Sequence, residues 1–478
     1  MLISALFLTS CGKLLSLFEM SQPQSFYTNV FAYNMMGGYY LWSEEISQGL
    51  EKWSFTDDPV KTVKNLRYKD AAGNDIDKWT TLMEDCSPFM VSVSGNGKTF
   101  GFEFIVQYAD PSHKNVCAVV TFTYEGSPAR KAGLKRGDVI LTIDGTSLTP
   151  DNYYSILTER IFDNATSVEL GLYSGTSISL SAVEMYSNPV NVVKILDEGE
   201  KKVAYLHFSG FTWDAAEDLI KAFRTFKYQG VEDLVLDLRY NTGGYTTTCQ
   251  VLASLIAPES VVKEGAVFNR NIFNKNLTDK MEQDECFATE YTFQTDGGDV
   301  TFKPGEANLS LPRLWVITTG QSASASESLI CGLKPYMDVT IVGTTTYGKF
   351  CGGYLIKAED WYNAIAESKE SSINAQEGIS MTAGWGIYII TSRYADCNGV
   401  TLSMPSGIPA DYEVLDNPLD GYDLGDPDES MLSAVLSLME GHPVTAVAAR
   451  AGGVAAAAGG AVVEQLPFNK PGSGAFLW

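Results

Sequence analysis

The residues best suited to chemistry lie in two short loops. The apolar stretch 314–318 is followed by Gly320-Gln321-Ser322-Ala323-Ser324-Ala325-Ser326-Glu327 and then by a helical pattern. Further on, Ile341-Val342 leads into Thr344-Thr345-Thr346-Tyr347-Gly348-Lys349. A serine hydroxyl is a poor nucleophile until a base removes its proton. A lysine can be that base if burial lowers its pKa from about 10.4 toward 7 or 8, a change of roughly 4 kcal/mol. Ser324 at a helix start would also have free amides beside it, and the helix dipole stabilises a forming oxyanion there. The same residues permit a plainer reading. Ser324 and Glu327 fit the S-x-x-E capping box, worth about 1 kcal/mol to a helix. A second loop, Asn241-Thr242-Gly243-Gly244, ends the apolar stretch 234–238. Its glycines let the backbone approach a substrate carbonyl closely, or simply turn the chain from strand to helix.

The elements that must position these loops alternate along residues 185–442. Strands are expected at 203–208, 234–238, 314–318 and 340–342. Helices are expected near 213–228, with Leu219, Ile220, Phe223 and Phe226 on one stripe, at about 246–256, and after the serine run up to Pro335. Repeated βαβ units imply a largely parallel sheet with its ligands at the strands' C-terminal ends. Residues 259–310 are polar and aperiodic and read as a long insertion or extended hairpin. Ahead of this core, residues 21–97 read as small helices, one of them around 39–50.

Residues 98–184 form a separate module. Gly101-Phe102-Glu103-Phe104 opens a strand, and Ala132-Gly133-Leu134-Lys135-Arg136-Gly137-Asp138-Val139-Ile140 sets tight turns between short strands. Thr149-Pro150 then starts a helix expected to run through Ile161. This module resembles a PDZ domain. The resemblance implies that an extended peptide adds as a strand beside Gly101, Phe102, Glu103 and Phe104, with its terminal carboxylate at the loop amides.

Composition narrows the function further. The chain has 478 residues, 45% of them hydrophobic, enough for two or three domains with real cores. Its formal charge of −24, from 34 basic and 58 acidic side chains, argues against a nucleic-acid partner. The three histidines, His113, His207 and His442, lack HExxH spacing, and the eight cysteines form no CxxC pair, so neither a metal nor a cofactor is expected. His207 sits in the apolar run Val-Ala-Tyr-Leu-His-Phe, where a core role is favoured over catalysis. Residues 1–20 read as an export segment. Leu8-Thr9-Ser10-Cys11 resembles a bacterial lipobox, which implies lipidation of Cys11 and a periplasmic or surface place in the bacterial cell envelope, although no Lys or Arg precedes the apolar segment. The seven remaining cysteines are an odd number, leaving at least one free thiol. Residues 443–478 are Ala/Gly-biased and read as a loose tail.

The order of motifs carries a more specific resemblance. A PDZ-like module, Leu236-Asp237-Leu238-Arg239-x-Asn241-x-Gly243-Gly244, the serine run, Tyr347-Gly348-Lys349 and Gly407-Ile408-Pro409-Ala410-Asp411 together resemble the carboxyl-terminal processing (tail-specific) serine proteases over about residues 98–440. The resemblance implies a ClpP/crotonase-like α/β core and a Ser–Lys dyad. Ser324 falls on the nucleophile and Lys349 on the general base. The amides of Ala325 and of the Gly243-Gly244 loop fall on the oxyanion hole. Polypeptides, engaged through their C-termini, would be the substrates. One departure stands out. Many members of that family carry an orienting glutamine four residues after the lysine, and Gly353 occupies that position here. Either another group holds the amine, such as a hydroxyl from Thr344–Thr346, or the activity is weak. The alternative is a PDZ-containing peptide-binding scaffold without activity.

Overall fold

The computed structural model describes residues 22–163, 165–198, 201–295, 298–368, 373–442 and 465–466. The export segment and Cys11 lie outside the described residues, as does the tail apart from Gln465–Leu466.

The architecture is the α/β one that the motifs imply. A six-stranded sheet runs in the order Val190–Glu198, Lys201–Phe208, Asp233–Asp237, Arg313–Thr318, Asp338–Gly343 and Tyr412–Glu413. Its first pair is antiparallel and the rest are parallel. The central strands Asp233–Asp237 and Arg313–Thr318 read as nearly continuous apolar runs because helices cover both faces. On one face Ala215–Gln229, Thr246–Ile256 and Ala325–Leu333 bury Leu219, Phe223, Leu252 and Leu329 against Leu206, Leu236 and Val316. On the other, Ser430–Met439 packs Met431, Leu432 and Val435 against Val235, Ile317 and Val342. The catalytic candidates therefore sit at the C-terminal edge of a parallel sheet.

A second sheet stands beside the first. Its long strand Gly386–Asp396 pairs with Thr81–Met83, Val267–Phe273 and Cys351–Lys357. Residues 259–310 are thus more than a single hairpin: a short helix and the strands Val267–Phe273 and Asp284–Cys286 come before the hairpin Tyr291–Thr295/Gly298–Phe302. The strand Gly386–Asp396 that pairs with Val267–Phe273 lies over a hundred residues away, so no local pattern announces that pairing. The N-terminal helices share one apolar cluster with this sheet, joining Phe31, Met35, Trp42 and Trp79 to Trp361, Tyr388 and Ile390.

Two helices differ from expectation. The first long helix is Gln24–Gly38, starting after Pro23 and ending at Gly37-Gly38, whereas residues 41–46 are turns. It is buried on nearly every side and so shows no amphipathic stripe. In the PDZ-like module the helix begins at Tyr153, because the Asn152 side chain accepts the Thr149 N–H at 2.8 Å and holds residues 149–152 in a turn.

That module contributes six strands to a seven-stranded sheet, the seventh being Gln465–Leu466, and is lashed to the core by buried charges. Arg136 reaches Asp416 at 2.9 Å and the Tyr240 hydroxyl at 3.0 Å. Arg239 binds Asp237, Asp416 and, in a two-point contact at 2.7 and 2.9 Å, Glu429. Burial alone would raise the Asp416 pKa, but Arg136 and Arg239 outweigh it and hold the carboxyl below its usual range. The charged residues of the Leu-Asp-Leu-Arg motif are therefore an ion-pair hub rather than a reacting group. Among the described residues all seven cysteines are free thiols, and no helix is long and apolar enough to cross a membrane.

Candidate active site

The three alternating serines have different fates. Ser322 donates its hydroxyl to the Leu238 carbonyl at 2.9 Å, and Ser326 donates to the Asn241 carbonyl at 3.0 Å. Both stitch the serine loop to the end of the neighbouring strand. Ser324 lies between them, fully buried, and its Oγ has no hydrogen-bond partner among the described residues. Its backbone has φ 61° and ψ −112°, a conformation an L-residue adopts only at a cost of about 1–3 kcal/mol. Strain together with an unsatisfied buried hydroxyl marks a chemical role better than a capping one. The Glu327 half of the capping box is formed, with the Ser324 N–H donating to the carboxylate at 2.9 Å.

Glu327 does more than cap. Its Oε2 also accepts the Lys349 N–H at 2.9 Å, while Oε1 accepts from Thr346 Oγ1 at 2.5 Å and the Gly348 N–H at 2.7 Å. One carboxylate oxygen thus holds the backbones of both Ser324 and Lys349, which is how residues far apart in sequence come together. Burial raises the Glu327 pKa, against the pull of these four donors. The sequence signal was there in Ser-x-x-Glu, but it pointed only to the helix start.

Lys349 is fully buried. Desolvation lowers its pKa to about 8, against the opposing fields of Cys351, Asp77 and Glu327. Its Nζ lies 3.3 Å from the Tyr388 hydroxyl and over two rings, 5.2 Å from the centroid of Trp79 and 5.3 Å from that of Tyr388. Tyr347, two residues before the lysine, is partly exposed and meets the edge of Trp79 with ring centroids 6.3 Å apart. The Thr346 hydroxyl is not on the amine, since it is bonded to Glu327 and to the Ile408 N–H. Gly353 gains a reason: a Cβ there would lie 2.4 Å from the Ile389 carbonyl oxygen and 3.1 Å from the Tyr388 ring. The space a side chain at 353 would need is filled by the strand that brings Tyr388.

The glycine loop abuts the serine. A Cβ on Gly243 would stand 2.7 Å from Ser324 Cβ and 3.0 Å from the Ala325 nitrogen, and Gly243 and Gly244 have φ 105° and 143°. Asn241 ties the two loops together, its carbonyl accepting the Ala323 N–H at 3.0 Å and its side-chain oxygen accepting the Gly243 N–H at 2.9 Å. The Gly243 amide is therefore already engaged. The Gly244 and Ala325 amides have no hydrogen-bond acceptor among the described residues, and Ala325 is the first residue of its helix, where no intrahelical partner exists.

His207 is buried against Phe122 and Tyr240, and burial lowers its pKa to about 4, so it is neutral at pH 7 and part of the packing. His113 stacks on Tyr108 and His442 pairs with Glu440. No described group of His, Cys, Asp and Glu is arranged to hold a metal. In the module, Gly101 has φ 80°, Phe102 and Phe104 lie on the strand Phe102–Tyr108, and Glu103 accepts the Tyr124 hydroxyl.

Comparison with known proteins bears on the fold and the family pattern. Residues 202–414 match the model of peptidase family S41, and residues 119–159 match a PDZ domain. Over residues 202–414 the chain is therefore similar to peptidase family S41. It is 28% identical over 230 residues to the carboxyl-terminal-processing protease of Synechocystis sp., covering 47% of each chain. It is 27% identical over 239 residues to the carboxy-terminal processing protease CtpB of Bacillus subtilis, covering 48% of this chain and 44% of that one. The chain thus spans about half the length of these curated relatives. A solved structure described as a putative S41 protease from Bacteroides fragilis superposes with a TM-score of 0.63 at 20% identity, covering 86% of this chain and 97% of that one, a likeness of fold.

Proposed function

We propose that the chain is a serine endopeptidase of the C-terminal processing type working through Ser324 and Lys349. The observation that carries this reading is the buried, unpartnered Ser324 hydroxyl at a strained helix start, clamped through Glu327 to a desolvated lysine. Lys349 in its neutral form takes the Oγ proton while Oγ attacks the peptide carbonyl carbon. The oxyanion accepts from the Ala325 and Gly244 amides. As the intermediate collapses, the C–N bond breaks and the Lys349 ammonium returns the proton to the leaving amine. Water, deprotonated by the same amine, then releases the acyl group. Tyr388 and Trp79 hold the amine in place throughout.

The PDZ module, about residues 98–184, would receive polypeptide C-termini and feed them to Ser324. Export through residues 1–20 and lipidation of Cys11 belong to the same proposal and place the enzyme in the bacterial cell envelope. Casein degradation by the purified protein, run beside Ser324→Ala and Lys349→Ala, tests the chemistry. Activity in the parent and in neither variant is expected; activity surviving in both would refute the dyad, and none in the parent would favour a peptide-binding scaffold.

A further inference from the structure

The sheet of the PDZ module ends at the strand Phe102–Tyr108, whose inner edge pairs with Val116–Thr123. Its outer edge is not bare. Gln465 and Leu466 pair with it antiparallel, Gln465 opposite Gln107 and Leu466 opposite Val106. Leu466 packs on the module's apolar cluster together with Phe104, Tyr153 and Ile156, and Gln465 faces solvent. The Phe162 ring, at the end of the module's helical segment, lies 5.9 Å from Phe104, so strand and helix border a common apolar surface. From Gln465 to Leu466 the chain runs from Gln107 towards Phe102, and Gly101 with its positive φ follows at that end. An extended peptide that augments a sheet edge takes its affinity from main-chain pairing and its specificity from alternate side chains entering pockets. Leu466 inward and Gln465 outward reproduce that alternation.

We propose that this edge is a peptide-receiving groove whose resident occupant is the chain's own segment around Gln465–Leu466, so that incoming polypeptide tails must displace it. The proposal rests on the module's reading as a peptide receptor and is independent of whether the core hydrolyses anything. The chemistry selected is an extended segment with a branched apolar side chain facing in and a polar one facing out. Residues 440–464 join the segment to the last core helix, and a tether of this order gives an effective concentration in the millimolar range. A segment with an intrinsic Kd of ~0.1 mM would then weaken competing peptides about tenfold.

The test compares the full-length chain with its Leu466→Asp variant. The probe is a fluorescein-labelled peptide carrying the sequence of residues 461–471, titrated by fluorescence polarisation. Leu466→Asp places a charge where the apolar contact is made, in a terminal segment outside every core cluster but the module's, so the fold is retained. The variant is expected to bind the probe about tenfold more tightly than the parent, and whichever of the adjacent Val106 and Gln107 amides faces the outer edge to exchange hydrogen faster in the variant without probe. Equal affinity in both proteins, or no binding to either, would overturn the proposal. A second labelled peptide ending in a free apolar C-terminus separates the two readings: if it binds both proteins alike, the groove stands and its resident occupant falls.

Discussion

Replacing Lys349 by methionine should make the protein more stable and inactive, and the gain should vanish with rising pH. Burial moves the lysine from its ordinary value of 10.5 to about 8 in the folded chain. At 1.36 kcal/mol per tenfold change in proton affinity, that is about 3 kcal/mol by which the folded state disfavours the ammonium. The sign follows from proton counting. Below pH 8 the lysine is protonated in both states and the parent carries the whole penalty. Between about pH 8 and 10.5 the unfolded chain binds a proton that the folded chain does not, so the parent's stability rises with pH across that window. Methionine has no charge to desolvate and roughly fills the same volume beside Trp79 and Tyr388. Cys351 and Tyr394, nearby, are raised by burial and stay neutral through the window. Denaturation free energies of parent and Lys349→Met, measured at pH 7 and pH 10.5, should differ by about 3 kcal/mol more at the lower pH. Any packing change brought by methionine is independent of pH and cancels in that comparison. A stability gap that stays constant from pH 7 to 10.5 would show that the amine is not desolvated, and the argument for its role as base would fail with it.

Three further perturbations follow from the same contacts. Tyr388→Phe keeps the ring but removes the hydroxyl 3.3 Å from Nζ. Its kcat should fall about 10- to 100-fold with KM little changed, and the acid limb of kcat/KM should move to lower pH because the ammonium loses an acceptor; an unaltered pH profile would remove Tyr388 from the mechanism. Glu327→Ala leaves four donors buried without their acceptor and should cost about 3–5 kcal/mol of stability, read as a lowered denaturation midpoint; a loss under about 1 kcal/mol would mean that the clamp is not built as described. Ser324→Gly relieves the φ 61° conformation and should hold or raise the melting temperature, with a gain of up to about 1–2 kcal/mol, while abolishing turnover; a marked drop would show that the serine caps rather than strains.

The two halves of the site were unequally legible. Continuous apolar strands alternating with helices show in the sequence, because each strand is buried on both faces and each helix has one apolar stripe. The parallel core and the loop positions of Ser324, Gly243, Gly244 and Lys349 followed from local pattern. The middle serine could be singled out only by resemblance, since all three sit in equivalent sequence surroundings. Tertiary structure separates them: Ser322 and Ser326 spend their hydroxyls on carbonyls of the adjoining strand end, and Ser324 does not. The partners of Lys349 were beyond local reading altogether. Trp79 comes from the N-terminal region and Tyr388 from a strand of the second sheet, and neither has a spacing relation to the lysine. The same is true of Arg136 and Asp416, and of Leu466 against Val106. Sequence alone determined which groups could react, because that is a property of residue type and of the element each one ends. Which groups hold them, desolvate them and cover the peptide edge was decided by contacts between distant segments. Such contacts depend on how separate apolar faces close on one another, which no short stretch of chain encodes.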